Sequence, residues 1–526
     1  MPTKDAAELG KAYAFSGTAL ELGAVVVDGT PHPDAPVRIP LSMLNRHGLV
    51  AGATGTGKTK TLQLIAEQLS TAGVPAFLAD IKGDVAGIGA PGEPSDRITQ
   101  RAEQTATAWS PTGFPVELYA LGGLGTGVPV RATITSFGPV LLSKVLGLNA
   151  TQESSLGLVF HFADKAGLPL LDLKDLRAVI THLTSDEGKA DLKELGGLSS
   201  ATAGVILRSL VTLENEGGDV FFGEPEFDTA DLLRSAPDGR GVLSVMGLSA
   251  VQDKPRLFST FLMWLLADLF ADLPEVGDVD KPKLVFFLDE AHLLFDDASE
   301  AFLDAIARTV RLIRSKGVGV FFVTQTPKDV PAEVLAQLGN RVQHALRAFT
   351  PDDARALKAT VSTFPKSDVY DMTELLTTMG IGEAAVTILS ERGTPTPVAW
   401  TMMRPPQSRM GPLDEAEQSR IVQASPLMAE YGQSVDRESA YERLLAKVAP
   451  PPEEDAGEPL PRYEPPADAA PAPSRRREPE ERSKVAEVLG SSVFRSFARS
   501  AASAAGREIS RSLFGTAPRR RRSRRR

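Results

Sequence analysis

The sequence predicts an α/β protein built on a central, mostly parallel sheet, and three observations carry that expectation. Short apolar runs alternate with amphipathic helical patterns from residue 49 to about residue 401, the rhythm of parallel strands joined by crossover helices. A glycine-rich loop, Gly52-Ala53-Thr54-Gly55-Thr56-Gly57-Lys58-Thr59, lies between the first such run and the first helical pattern. A later run, 284–288, holds five bulky apolar residues and ends on two acids, Asp289 and Glu290. An unbroken run of this kind reads as a strand buried on both faces.

The elements follow in order. Residues 1–45 read as a short β-rich segment, with the apolar run 24–27 followed by an Asp28-Gly29 turn signal. Candidate strands then fall at 49–51, 76–79, 242–246, 284–288 and 318–324, and two more at 342–346 and 385–389 extend the sheet. Between about 138 and 215 the rhythm breaks. Periodic leucines with few β-branched runs predict a helical insertion there. The run 257–270 is the most membrane-like, but it falls short of the ~20 apolar residues a spanning helix needs, and Asp268 interrupts it. It reads as a buried helix. The α/β unit spans 46–448. Beyond it, 449–482 is a Pro/Glu/Ala-rich linker expected to be disordered. Residues 483–514 read as an amphipathic helix with Val485, Val488, Leu489, Phe494 and Phe497 on one face, and 515–526 form an Arg-rich tail.

Composition narrows the chemistry. The chain has 526 residues, 42% apolar and 24% charged, as expected of a soluble protein of two to four structural units. It has no cysteine, which excludes disulfides, thiol catalysis, Cys-bound zinc and iron–sulfur clusters. Six histidines give little scope for a His-rich metal site. The first residues lack the apolar core of a signal peptide. No integral membrane segment is expected, and the expected location is cytoplasmic. Net charge is −10, and without the seven arginines of Arg519–Arg526 the body carries −17. An acidic body is not a nucleic-acid signature in itself, yet it leaves room for a small basic pore.

The loop at 52–59 matches the full Walker A pattern in its required strand–loop–helix context. Glycines let successive backbone N–H groups turn inward toward phosphate, and the helix N-terminus adds positive potential. Lys58 is expected at the β- and γ-phosphates of ATP and the Thr59 hydroxyl on Mg²⁺. Asp289 is the candidate second Mg²⁺ residue, and Glu290 the general base for the attacking water. Gln325 ends the apolar run 318–324 and is the candidate phosphate sensor, since ligands of open α/β sheets gather at strand C-termini. Arg311 and Arg314 lie on a helix between the acidic strand and the sensor strand. Either one serves as an arginine contributed to a neighbouring subunit or is simply solvated.

These residues resemble the HerA/FtsK superfamily, and more narrowly a family of bacterial HerA-like ATPases. The resemblance covers Arg46 to about Tyr441. It rests on HGLVAGATGTGKTKTLQLIAEQL, FLADIKGD, FFLDEAHLLF, VFFVTQTPKDVP, GNRVQHALRAFTPDD, GIGEAAVTIL and SPLMAEYGQSVDRESAYE, in that order. It implies a RecA-like sheet, a hexameric ring with ATP between subunits, and catalytic roles for Lys58, Glu290 and Gln325. It also implies a trans-acting role for Arg314, an interface role near nucleotide for Arg46, and an acid near the site at Asp80. The HerA motor uses an N-terminal β-barrel to bind a nuclease. Only 45 residues precede Arg46 here, so a full barrel, and with it a nuclease partner, is in question.

The expected function is therefore an ATP-hydrolysing motor, a DNA translocase or helicase acting as a homo-oligomeric ring. The alternative is an ATP-gated switch or assembly scaffold for a protein partner. The Arg tail is open to nucleic-acid binding, to an anionic membrane surface, or to no partner at all.

Overall fold

The computed structural model describes residues 3–192, 196–277, 279–295 and 300–448. The linker, the amphipathic helix and the Arg tail expected after 448 lie outside the described residues.

Twelve strands form one sheet. They are β1 (Ala19–Val27), β2 (Thr30–Pro40), β3 (Gly48–Ala51), β4 (Ala76–Asp80), β5 (Val116–Leu121), β6 (Val128–Val130), β7 (Leu243–Gly247), β8 (Leu284–Leu288), β9 (Val318–Thr324), β10 (Asn340–His344), β11 (Glu383–Thr387) and β12 (Ala399–Met403). Their order is β2-β1-β12-β11-β10-β3-β9-β8-β4-β7-β5-β6. From β10 to β6 every neighbouring pair is parallel. From β2 to β10 every pair is antiparallel. The sheet is thus mostly parallel with an antiparallel flank.

The parallel strands are short and apolar because both faces are covered. All five residues of β8 and all seven of β9 are buried, and burying each large apolar side chain contributes about 1.5–3 kcal/mol. Residues 19–40, read from sequence as a β-rich lead-in, are strands of this same sheet. β1 pairs with β12 through Gly23↔Met403 and its neighbours, partners 380 residues apart. The helix α1 (Lys4–Ala12), capped by the Thr3 side chain, precedes them. Strands β5, β6 and β12 escaped the sequence reading for local reasons. In β5 the buried Glu117 interrupts the apolar run and is paired with Arg234 at 2.7 Å. β6 is three residues long with Pro129 at its centre. β12 holds one Thr and no other β-branched residue.

The region 134–213 is helical: α4 (Ile134–Val145), α5 (Ala150–Lys165), α6 (Leu173–Thr184) and α7 (Ser200–Leu213). Side chains of Thr133, Asn149, Asp172 and Ser199 cap their N-termini, with full capping boxes at Asn149 and Asp172. Leu142, Leu156, Val159, Leu176, Ile180 and Ile206 join one apolar cluster with the helix Pro255–Asp272. That helix is buried, and no described helix is long and apolar enough to cross a membrane. Residues 425–448 then strap this region to the sheet edge. Arg131 donates to the Tyr431 carbonyl at 3.0 Å, Tyr431 donates to Asp231 at 2.8 Å, and Asp175 accepts from Ser439 and from the Tyr441 N–H. The net result is one sheet whose β3, β9, β8 and β4 end side by side.

Candidate active site

The glycine loop leaves β3 and enters the helix α2 (Lys58–Thr71). Gly55 and Gly57 have φ of +77° and +117°, a region that side chains disfavour. Gly52 is required for a different reason: a Cβ there would sit 2.5 Å from the His344 Cβ. The N-cap of α2 is Gly57, and no side chain caps the helix. Its first-turn N–H groups are therefore left for an anion. Lys58 folds back over the loop, donating to the Gly52 carbonyl at 2.7 Å and the Ala53 carbonyl at 3.2 Å. Burial lowers the Lys58 pKa, while the charges of Glu290 and Asp289 oppose that shift. Thr54 is exposed, Thr56 donates to the Ala53 carbonyl at 2.7 Å, and Thr59 lies in the first turn of α2.

The two acids follow β8, which is separated from β3 only by β9. Asp289 is 2% exposed. Its Oδ1 accepts the Glu290 N–H at 2.9 Å, and its Oδ2 is buried with no hydrogen-bond partner. Burial pushes its pKa up to about 6. An orphaned buried carboxylate oxygen suits a cation that would neutralise it, so the residues fit Mg²⁺, with Asp289 and Thr59 as the groups that would hold it. No described group of three His, Asp or Glu is placed to hold a metal. Mg²⁺ accords with this, because it takes one or two protein groups, with phosphate and water completing its shell.

Glu290 is 5% exposed and has φ of +48°. For a residue with a side chain this conformation costs on the order of 1–3 kcal/mol, and it recurs at functional sites. Burial pushes the Glu290 pKa up, but Lys82 more than offsets this and holds it below the usual carboxylate value. The sequence reading did not single out Lys82, which pairs directly with Glu290. Asp80 explains how Lys82 comes to be there. Its carboxylate accepts the N–H groups of Gly83, Asp84 and Val85 at 2.8, 3.1 and 3.0 Å, shaping the loop after β4. His344 also went unnoticed. Its Nδ1 lies 2.8 Å from the Glu383 carbonyl and its Nε2 lies 2.9 Å from the Thr61 hydroxyl. A carbonyl only accepts, so Nδ1 carries the proton and Nε2 accepts from Thr61. No local signal marked it: β10 is largely polar, with Asn340, Arg341 and Gln343 before His344, and only the sheet order brings it beside β3 and the glycine loop.

Gln325 stands one residue past β9, exposed, between the ends of β3 and β8. Arg46 and Arg314 lie elsewhere. Arg46 precedes β3 and Arg314 precedes β9, so both sit at the strands' N-terminal edge. Both charges act on the buried His47, whose pKa falls to about 4, chiefly through burial. Lys58 and the acid pair occupy the C-terminal edge. The structure thus divides the candidate residues between two edges of the sheet. Arg311, on the helix Glu300–Ile313, is exposed.

A glycine loop and an acid pair at the C-terminal edge of parallel strands, with a third strand between them, define a RecA-like P-loop ATPase fold. Among solved structures the chain is similar to the plasmid coupling protein TrwB in complex with ADP and Mg²⁺. The identity is 16% and the TM-score 0.50, covering 76% of this chain and 92% of that one. TrwB in complex with the non-hydrolysable analogue ADPNP gives 16% and 0.50, covering 77% and 93%. VirB4 of Thermoanaerobacter pseudethanolicus gives 14% and 0.43, covering 74% and 97%. No curated protein matches the sequence. The chain belongs to the helicase HerA-like C-terminal family, whose model matches residues 26–522.

Proposed function

We propose that this protein is a Mg²⁺-dependent ATPase that assembles as a hexameric ring and translocates or unwinds DNA. In this reading Lys58 and the loop 52–59 hold the triphosphate, Thr59 and Asp289 hold Mg²⁺, Glu290 takes the proton of the attacking water, and Gln325 senses the γ-phosphate. Bound Mg²⁺ supplies charge neutralisation on the phosphate oxygens. The observation that carries the reading is the division of residues between the two sheet edges. Arg46 and Arg314 stand on the edge away from this chain's own glycine loop. In a head-to-tail ring they would face the next subunit's nucleotide, completing a site that no single chain contains. Two further facts support the nucleotide part. The family is that of HerA-like helicases, and the TrwB structures hold ADP with Mg²⁺ and ADPNP.

The test is hydrolysis measured with and without duplex DNA, alongside sizing of the purified protein in ATP and Mg²⁺. A ring-sized particle with DNA-stimulated turnover is the expected result. Turnover that ignores DNA, in a protein that does not bind DNA, would sink the translocase reading. A stable complex with another protein would then favour an ATP-gated switch.

A further inference from the structure

We propose that Lys82 is a positioning residue for the hydrolytic step: its ammonium holds one oxygen of the Glu290 carboxylate and leaves the other for the attacking water. This rests on the reading of Glu290 as the base.

The geometry begins in the sheet. β4 and β8 are parallel neighbours, with Ala79 opposite Leu288. Lys82 lies three residues past Ala79 and Glu290 two past Leu288, so both emerge at the same edge. The backbone around Lys82 is fixed. The Asp80 carboxylate accepts the N–H groups of the three residues that follow Lys82. Lys82 Nζ donates to Glu290 Oε1. The other oxygen, Oε2, is buried and accepts no hydrogen bond. The His292 Nδ1 lies 3.3 Å from it. One oxygen is therefore clamped and one is available.

A base must present its lone pair along the line of the proton it takes. Glu290 has several rotatable bonds, and its left-handed backbone directs the side chain away from the ordinary strand path. Without an anchor the carboxylate would have several rotamers to sample. The ammonium supplies that anchor from an adjacent, pinned loop. Lys82 is 46% exposed at its side chain whereas Glu290 is 6% exposed, so the lysine closes the solvent side of the acid. Phosphate contact is left to Lys58, whose ammonium already lies across the glycine loop.

The experiment uses the full chain and four variants: Lys82→Met, Lys82→Arg, Glu290→Gln and the Lys82→Met/Glu290→Gln pair. Steady-state turnover, affinity for a fluorescent non-hydrolysable ATP analogue, and thermal melting are measured for each. Misplacing a reacting group by an ångström costs on the order of 100-fold, so Lys82→Met is expected to lower kcat by about 10- to 100-fold. Its analogue affinity is expected to stay at the wild-type value, since the ammonium is not assigned to phosphate, while its melting temperature is expected to fall modestly because a buried carboxylate loses its partner. Lys82→Arg is expected to restore most of the rate. In the Glu290→Gln background Lys82→Met is expected to add nothing, because its partner is already gone. Wild-type kcat in Lys82→Met overturns the proposal while leaving Glu290 as the base. A loss of analogue affinity in Lys82→Met, persisting in the double variant, overturns it in favour of a direct phosphate contact. Wild-type turnover in Glu290→Gln overturns the base assignment and this proposal with it.

Discussion

Lys58 and Gly52 are joined across the loop they share, the lysine Nζ donating to the glycine carbonyl at 2.7 Å. A second bond reaches the Ala53 carbonyl at 3.2 Å. The ammonium is therefore buried and hydrogen-bonded within the loop, and in the proposed reading the triphosphate takes the place of those carbonyls. Lys58→Ala removes a charge-assisted contact worth about 1.5–3 kcal/mol, so nucleotide affinity is expected to fall by about 10- to 100-fold. Equilibrium titration with a fluorescent ATP analogue checks this, and wild-type affinity would refute the assignment of Lys58 to phosphate.

In the proposed reading Glu290 is the base, and Glu290→Gln keeps the shape of the side chain while removing its carboxylate. A general base contributes about 10²–10⁴-fold, so turnover is expected to fall by that order while ATP still binds. A single-turnover assay, with bound ATP measured in parallel, separates the two effects. A variant that neither binds nor hydrolyses would mean that the carboxylate holds the loop together.

How much of this site was legible in the sequence depends on how local each signal is. The loop at 52–59 and the acids after β8 were readable because contiguous residues, five apolar ones in a row before the acids, fix their context. Lys82 was not readable, since its partner is 208 residues away and only the pairing of β4 with β8 unites them. The antiparallel flank was hidden for the same reason. β1 shows its apolar run plainly, but nothing local says that β12 is its neighbour. The polar breaks at Glu117 and Pro129 hid β5 and β6, because a buried ion pair and a three-residue strand leave no periodicity to count.

Arg314 can be tested by mixing. In a ring that completes each site with the neighbour's arginine, Arg314→Ala and Lys58→Ala are each inactive, with a trans-acting arginine worth about 10³–10⁵-fold. A mixture of the two contains interfaces that join an intact glycine loop to an intact Arg314. Turnover is therefore expected to reappear on mixing and to peak near equal proportions. A flat, inactive mixing curve from rings shown to exchange subunits would refute the trans role.

His344 sits beneath the glycine loop, between Thr61 and the Glu383 carbonyl. Burial holds its pKa near 4, below the ordinary 6.5, with the Glu383 bond opposing and the Lys58 charge assisting. The unfolded chain thus takes up this proton first as pH falls. Its contribution is intact above pH 6.5 and is lost progressively down to about pH 4, the loss amounting to about 2.5 kcal/mol at pH 4.5. His344→Gln is expected to melt lower than wild type at pH 8, since partners lose bonds worth about 1–3 kcal/mol. Its melting temperature is also expected to fall less steeply in acid. Parallel slopes for the two proteins between pH 8 and 4.5 would show that His344 does not carry the acid sensitivity.

Asp268 carries the opposite sign. It lies in the buried helix Pro255–Asp272, accepts a bond from the Thr229 hydroxyl at 2.8 Å, and has its pKa pushed up to about 7. Burial is the main cause, and Asp272, Glu226 and Asp228 add repulsion. A raised acid is protonated in the folded state while the unfolded chain has already ionised. The penalty is complete above pH 7 and shrinks as pH falls toward the unfolded value of 3.8. Asn can accept the Thr229 bond without the charge. Asp268→Asn is therefore expected to stabilise the protein, by on the order of 4 kcal/mol at pH 8, with the gain fading toward pH 4. Melting curves of the two proteins across that range give the difference directly. A gain that is constant with pH would mean that packing, and not the buried charge, separates the two side chains.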